Sequence, residues 1–158
     1  MRIGILSDTH GDTTGTQAAL CQFDAFEVDL IIHCGDVGGG LIPLFGSRPV
    51  HFVFGNTDNR SSLQEEIEQA GHNCHGRFGQ LELADRRIAF LHGDDASRMR
   101  DELISGQWDF LFYGHSHEAN NQQVGSTRVV NPGAIRRTHK PSVAIMDLAS
   151  GQVDHIPI

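Results

Sequence analysis

Cysteine is scarce in this chain: Cys21, Cys34 and Cys74 make an odd total of three with no CxxC spacing. That argues against a disulfide framework and a structural zinc knuckle, and it fits a reducing cytoplasm. No stretch approaches the ~18 uninterrupted apolar residues of a membrane span. The opening MRIGILSDTH turns polar at Ser7, too early for a signal-peptide core, so neither a membrane anchor nor export is expected. Basic residues are outnumbered, 12 against 20 acidic, for a net charge of -8 with histidine neutral. Such a surface repels a phosphate backbone and excludes broad nucleic-acid binding. Proline occurs five times, tryptophan and tyrosine once each, and no repeat, linker or charge block divides the 158 residues. One domain covering 1–158 is expected, with apolar residues at 39% and charged residues at 20% sufficient for a folded core.

What the chain has in excess is histidine, ten residues, and glycine, eighteen. Imidazole is the commonest transition-metal ligand, and glycine at this frequency implies many tight loops. Ile3 to Leu6 reads as a short buried strand that stops at Ser7-Asp8-Thr9-His10-Gly11. Thr16 to Phe26 has helical apolar spacing, and Leu30 to Cys34 is a second strand ending at Gly35-Asp36. Pro49 to Phe54 is a third, ending at Gly55-Asn56-Thr57-Asp58, with a helix from Leu63 to Ala70 after it. Phe78 to Leu83 and Arg86 to Leu91 alternate around Ala84-Asp85 as a hairpin that runs into His92-Gly93. A helix from Ala96 to Ile104 precedes a strand from Phe110 to Tyr113 that ends in Gly114-His115-Ser116-His117. Arg128 to Val130, Ser142 to Leu148 and Val153 to Ile156 complete a strand-rich last third, giving an α/β chain with parallel and antiparallel parts.

The polar residues at those strand ends form one chemical set. Asp8, His10, Asp36, Asn56, His92, His115 and His117 all follow the carboxyl end of a strand, where ligand-binding crevices of α/β sheets lie. Two carboxylates, one amide and four imidazoles are too many for one tetrahedral ion. They suit two ions sharing a carboxylate, an arrangement with metals ~3.5 to 4 Å apart that clamps a phosphate and activates a bridging water. In Asp8-x-His10 an extended backbone would place both side chains on one face, and His115-x-His117 repeats the spacing.

In chain order these motifs read Asp8-Thr9-His10, Gly35-Asp36, Gly55-Asn56-Thr57-Asp58, His92-Gly93 and Gly114-His115-Ser116-His117. This series resembles the calcineurin-like metallophosphoesterases. The short, uninserted chain with Asn131-Pro132-Gly133 after the last ligand loop looks most like the small YfcE-like phosphodiesterase branch. The resemblance implies two packed mixed β-sheets flanked by helices, an αββα sandwich. It implies one ion on Asp8, His10, Asp36 and His117 and a second on Asp36, Asn56, His92 and His115, with Asp36 and Asn56 acting through a hydroxide that bridges them. The ions would be manganese first, with iron, nickel and zinc compatible with the same ligands. A phosphodiester among small phosphate esters is the expected substrate. A phosphomonoester remains an alternative, as does a non-catalytic protein-binding scaffold of the same fold, of which a retromer subunit is an example. A homo-oligomer is compatible with the sequence.

Three positions depart from the pattern. Thr57 stands where many relatives carry a histidine credited with protonating the leaving group, which leaves the proton donor open. Asp94 stands where a second histidine often follows His92-Gly93, and it would discourage strongly anionic substrates. Val37 to Gly40 replaces the Asp-Arg-Gly of the Ser/Thr phosphatase branch. Elsewhere His33 and His51 lie inside strand runs and read as packing histidines, as does Cys34. His72, Cys74 and His75 read as a loop after a helix. Arg136, Arg137, His139 and Lys140 form the only basic cluster, a solvated loop by default and a phosphate-steering rim as the alternative.

Overall fold

The computed structural model describes residues 1–158. Continuous apolar runs such as Ile3 to Leu6 need cover on both faces, and a two-sheet sandwich supplies it. The first sheet holds six strands in the order β11-β10-β1-β2-β3-β4. These are β1 (Arg2–Leu6), β2 (Leu30–His33), β3 (Val50–Phe52), β4 (Asn73–Cys74), β10 (Ser142–Asp147) and β11 (Val153–Pro157). The second has five in the order β5-β6-β7-β9-β8. Its strands are β5 (Phe78–Leu83), β6 (Arg86–Leu91), β7 (Phe110–Phe112), β8 (Asn120–Val124) and β9 (Thr127–Asn131). Both sheets are mixed. Strands β1 to β4 run parallel, as do β6, β7 and β9, while β10, β11, β5 and β8 pair antiparallel at the flanks.

Ile3, Ile5 and Ile32 of the first sheet, with Val53 just past β3, meet Ile88, Phe90, Phe112 and Val130 of the second in a fully buried inter-sheet core. On the outer face of the first sheet α1 (Thr13–Ala25) and α2 (Arg60–Gln69) cover Leu6, Ile31 and Phe52 through Phe23, Leu63 and Ile67. On the outer face of the second, α3 (Ala96–Ser105) leans Met99 and Leu103 on Leu91, Leu111 and Trp108. The layers are therefore helices, sheet, sheet, helix, the arrangement implied by the motif series. No helix is long and apolar enough to cross a membrane.

Helices α1 and α2 start three residues before their apolar periodicity, because Asp12 accepts from Gly15 N–H and Asn59 from Ser62 N–H as N-caps. A first turn of exposed polar residues is set by the cap and not by burial. Three elements escape the apolar pattern altogether. Strand β8 (Asn-Asn-Gln-Gln-Val) is an edge strand with both faces partly wet, β4 has two residues, and Ile42–Phe45 is a single 3-10 turn. The two strands are defined by main-chain pairing to a neighbour and the turn by its own bonds from Leu44 N–H to Leu41 O and Gly46 N–H to Pro43 O, which composition does not encode.

Candidate metal centre

The parallel strands of both sheets end on the same side, and main-chain hydrogen bonds carry the ladders onward into the loops. Asp8 N–H donates to the Gly35 carbonyl, His10 N–H to that of Asp36, Gly114 N–H to that of His92, and Arg136 N–H to that of Asp8, all at 2.9–3.1 Å. The loop backbones after β1, β2, β6, β7 and β9 are thus stitched together before any side chain acts. Between β1 and β2 the stitching forces left-handed backbone at Asp8 (φ 56°), His10 (φ 44°) and Asp36 (φ 53°), with His115 (φ 68°) and His117 (φ 60°) alike. Sequence spacing favours an extended Asp8-x-His10; the chain instead turns through consecutive left-handed kinks, costing of order 1–3 kcal/mol per residue, and still converges. Glycine is required where the loops touch. A Cβ on Gly55 would sit 2.0 Å from Asp36 Oδ1, and one on Gly114 would sit 1.9 Å from Ser7 Oγ and 2.7 Å from Asp8 Oδ2.

The two carboxylates are arranged alike. Asp8 Oδ2 accepts the main-chain N–H of His115, leaving Oδ1 facing His10 Nε2 at 3.9 Å and His117 Nε2 at 3.2 Å. Asp36 Oδ1 accepts the main-chain N–H of Thr57, leaving Oδ2 facing His10 Nε2 at 3.8 Å and His92 Nε2 at 3.5 Å. One donor atom each from Asp8, His10 and His117 lies within 4.8 Å of the others, and the same holds for Asp8, Asp36 and His92. Asn56 Oδ1 reaches His92 Nε2 at 3.1 Å, and the His115 ring meets that of His92 edge-on at 5.1 Å. All seven residues singled out from sequence therefore come together. Asp8 joins both groups, whereas the family resemblance implies sharing through Asp36.

Several imidazoles are oriented by carbonyls. His92 Nδ1–H donates to Cys34 O at 2.8 Å and His117 Nδ1 faces Arg137 O at 3.4 Å, so each presents Nε2 to the carboxylates. Asp8 Oδ1 and His10 Nε2 are buried with no hydrogen-bond partner. Orphaned buried acceptors normally cost 1–3 kcal/mol each, and here they aim at one point, as a cation site requires. The donor set of carboxylate oxygens and bare Nε2 atoms fits divalent metal ions.

The charges agree. Burial would raise the Asp36 carboxyl, but bonds from His92 and from Thr57 N–H hold it well below the usual carboxylate range. Burial would lower His92, yet its bonds to Asp36 and the Cys34 carbonyl raise it on balance. Burial and then the Arg137 guanidinium lower His10, against the pull of both carboxylates. A ligand imidazole must be unprotonated: His10 meets this, whereas His92, raised by its partners, must give up a proton for a cation to bind.

Thr57 lies exposed beside Asn56, contributing its main-chain N–H to Asp36. Asp94 is not a free negative charge at the rim: Arg77, seventeen residues earlier, pairs with it at 2.6 Å and compensates it. Arg136 and Arg137 are exposed on the loop over the centre, with Arg136 Nη1 bonded to the His10 carbonyl at 3.3 Å. His72, Cys74 and His75 do not converge: His72 packs on Phe45 and Phe52, while His75 bonds His51 at 2.7 Å against Phe90.

Supporting residues were missed from sequence. Asp58 ties two ligand loops by accepting from Gly38 N–H at 3.1 Å and Gly55 N–H at 2.8 Å. The buried Asn131 side chain donates to Gly114 O at 2.9 Å and to Ser116 Oγ at 3.1 Å, clamping the loop that carries His115 and His117. Asn131→Ala removes this clamp and strands the buried Gly133 N–H, which donates to Asn131 Oδ1 at 2.9 Å, so it is expected to weaken metal binding about 10- to 100-fold and to cost ~1–3 kcal/mol of stability. Metal titration and urea unfolding of the same variant read the two effects; an unchanged metal Kd removes Asn131 from this role. The signal for Asp58 was its i+3 spacing from Gly55, that of an Asx-type loop bond.

A buried network braces the same loops. Gly35 N–H donates to His33 Nδ1 at 3.2 Å, His33 Nε2–H to Thr9 Oγ1 at 2.9 Å, and the Thr9 hydroxyl to Val37 O at 2.8 Å. Only the neutral ring with its proton on Nε2 satisfies this chain, since a proton on Nδ1 would oppose Gly35 N–H. Burial pushes His33 down to about 3. Between that value and an unfolded value near ~6.5 the unfolded chain binds the extra proton, so stability rises with pH across the window and is lost as pH falls through it. His33→Asn is expected to flatten this dependence between pH 7 and 4 in denaturant titrations. Equal slopes in both proteins would contradict the neutral-ring assignment.

Comparison with known proteins agrees with this geometry. A family model described as the calcineurin-like phosphoesterase superfamily domain matches residues 1–151. Phosphodiesterase MJ0936 of Methanocaldococcus jannaschii is 32% identical over 154 residues, covering 93% of each chain. A solved structure described as a novel archaeal phosphodiesterase superposes with a TM-score of 0.92 at 29% identity over 100% of both chains. The phosphoesterase YfcE from E. coli, 18% identical, shares the fold with a TM-score of 0.71 over 100% of both.

Proposed function

Because the chain belongs to the calcineurin-like phosphoesterase superfamily, we propose that it is a phosphodiesterase whose seven gathered side chains hold two divalent metal ions. The observation that carries this is the pair of donor groups meeting at Asp8, with Asp8 Oδ1 and His10 Nε2 buried and unpartnered. Asp8, His10, Asp36 and His117 would hold one ion, and Asp36, Asn56, His92 and His115 the other. Asp36 is the shared ligand in this reading, because its Oδ2 faces His10 and His92, one imidazole from each set, whereas Asp8 Oδ1 faces His10 and His117 of the same set. When bound, such ions lower the pKa of a coordinated water toward ~7 and withdraw charge from the phosphoryl oxygens.

The protein's own residues do the rest. The Cys34 and Arg137 carbonyls fix the rings of His92 and His117, and the main-chain N–H groups of His115 and Thr57 fix the carboxylates. Arg136 and Arg137 bring positive charge to the rim of an acidic protein and draw in an anionic ester. Cys34 is excluded as a nucleophile, since it is fully buried and burial pushes its thiol up. Diester preference is supported by the relatives named phosphodiesterases.

The test is hydrolysis of bis(p-nitrophenyl) phosphate and p-nitrophenyl phosphate by the metal-free protein reconstituted with Mn, Fe, Ni or Zn. Faster diester cleavage, abolished reversibly by a chelator, is expected. A faster monoester rate makes the protein a phosphomonoesterase, and no diester turnover with any ion together with tight binding of a protein partner makes it a scaffold.

A further inference from the structure

The loop after β9 carries an uncommitted positive charge to the metal centre. Its main chain is pinned there: Ile135 N–H donates to Ser7 O at 3.3 Å, Arg136 N–H donates to Asp8 O at 3.1 Å, and the Arg137 carbonyl faces His117 Nδ1 at 3.4 Å. We propose that Arg137 is a substrate-contacting catalytic residue, its guanidinium gripping the non-bridging oxygens of the phosphoryl group held at that centre; the inference deepens the function proposed above and rests on it.

Three observations carry it. First, the guanidinium is unspent. Of the eleven arginines, six pair with carboxylates, Arg128 bonds Asn121 and Arg136 bonds the His10 carbonyl. Arg60 and Arg100 lie exposed on α2 and α3, which leaves Arg137 as the free guanidinium next to the donor set. Second, it stands close to that set. Among the charges acting on His10 it outweighs Asp36 and Asp8, whose oxygens lie 3.8 and 3.9 Å from Nε2. Third, Arg137 is held in left-handed backbone (φ 62°), which a long side chain rarely adopts and which persists where surrounding contacts impose it, commonly at ligand sites. Charge then selects the ligand. Two divalent ions against the carboxylates of Asp8 and Asp36 leave the centre net positive, so an unpaired guanidinium beside His10 adds repulsion that an anion in the same space relieves. The planar fork of arginine matches two phosphoryl oxygens at once, and its grip strengthens as charge builds on them in the transition state.

The experiment measures binding of inorganic phosphate to the metal-loaded protein by calorimetry, in the parent, Arg137→Gln, Arg137→Lys and Arg100→Gln, the last removing an equal charge from the exposed face of α3. Arg137→Gln is expected to weaken phosphate about 10- to 100-fold at unchanged metal content, the loss of a charge-assisted contact. Arg137→Lys should recover only part of that loss, because an ammonium cannot fork, and Arg100→Gln should bind as the parent does. Cleavage of bis(p-nitrophenyl) phosphate by Arg137→Gln should fall about 10²-fold in kcat/KM, chiefly through kcat. Guanidinium chloride below denaturing concentration should restore part of the turnover of Arg137→Ala, which a purely structural role would not allow. Equal phosphate affinity in Arg137→Gln and the parent overturns the inference and leaves the phosphodiesterase reading standing. A defect that disappears at ~1 M salt, where the Debye length is ~3 Å, also overturns it, since that is steering at a distance and not contact. Loss of metal from Arg137→Gln does so too, by making the residue a support of the ions. Absence of diester turnover in the parent removes the phosphodiesterase reading itself, and the catalytic role with it, whatever the phosphate affinities.

Discussion

Asp36→Asn is expected to reduce phosphodiesterase kcat/KM by on the order of 10³-fold or more and to disturb occupancy at both metal positions. The reduction follows from losing an anionic ligand that faces two imidazoles at 3.5 and 3.8 Å, worth several kcal/mol at a site that stabilises phosphoryl charge. Asparagine is the informative replacement. Its amide oxygen can still accept Thr57 N–H, so the loop anchor survives while the charge is removed. The comparison is His117→Ala. His117 contacts Asp8 at 3.2 Å and belongs to one donor group only, so its loss should leave about one ion bound. Elemental analysis after reconstitution separates the two: near two ions for the parent, near one for His117→Ala, and well under one for Asp36→Asn. The rise in Tm on adding metal should shrink in the same order, since a ligand that binds only the folded state stabilises by mass action. Loss of one ion in both variants would refute sharing through Asp36, and the same loss pattern in Asp8→Asn would place the shared oxygen on Asp8.

Thr57→His carries the second large effect. A threonine hydroxyl cannot deliver a proton at neutral pH as an imidazolium does, so a poor alkoxide leaving group departs here without a side-chain acid at position 57. The parent protein is therefore expected to cleave aryl esters far faster than alkyl esters. General acid catalysis contributes ~10² to 10⁴-fold, and restoring an imidazole at 57 should raise alkyl-diester turnover by about 10² while changing aryl turnover little. The position accepts the change: its side chain is exposed beside Asn56, and the main-chain N–H that holds Asp36 is independent of the side chain. Measuring kcat/KM for matched aryl and alkyl diesters in both proteins decides the matter, with metal content as the control. An unchanged aryl-to-alkyl ratio at full metal occupancy means protons are not delivered from this position.

The donor set and the succession of α/β elements were legible in the linear chain because both depend on short-range features, while the two-sheet sandwich was implied only by the family resemblance of the motifs. Strands such as Ile3 to Leu6 and Leu30 to Ile32 are apolar runs, and a carboxylate soon after each, Asp8 after the first and Asp36 after the second, marks where a buried strand meets the site. Chain order alone then brings Asp8, Asp36, Asn56, His92, His115 and His117 to one side, because parallel strands of a sheet end together. The edge strand Asn120–Val124 escaped, since it has no apolar face and exists only through its pairing with Thr127–Asn131.

Other features could be settled only by tertiary structure, for a common physical reason: each depends on groups far apart in sequence that burial brings within hydrogen-bonding distance. Asp94 is neutralised by Arg77, His92 takes its tautomer from Cys34 O, and Asn131 clamps a loop fifteen to seventeen residues earlier. The left-handed backbone at Asp8, His10 and Asp36 arises because the loops after β1 and β2 hydrogen-bond to each other, a constraint no local propensity contains. The sequence by itself determined which atoms are offered to a metal and the order of strands and helices that carries them, because residue chemistry and apolar periodicity are local. Only the folded chain decided how the two sheets pack and which tautomers and charges the donors hold, because these are properties of the space between elements.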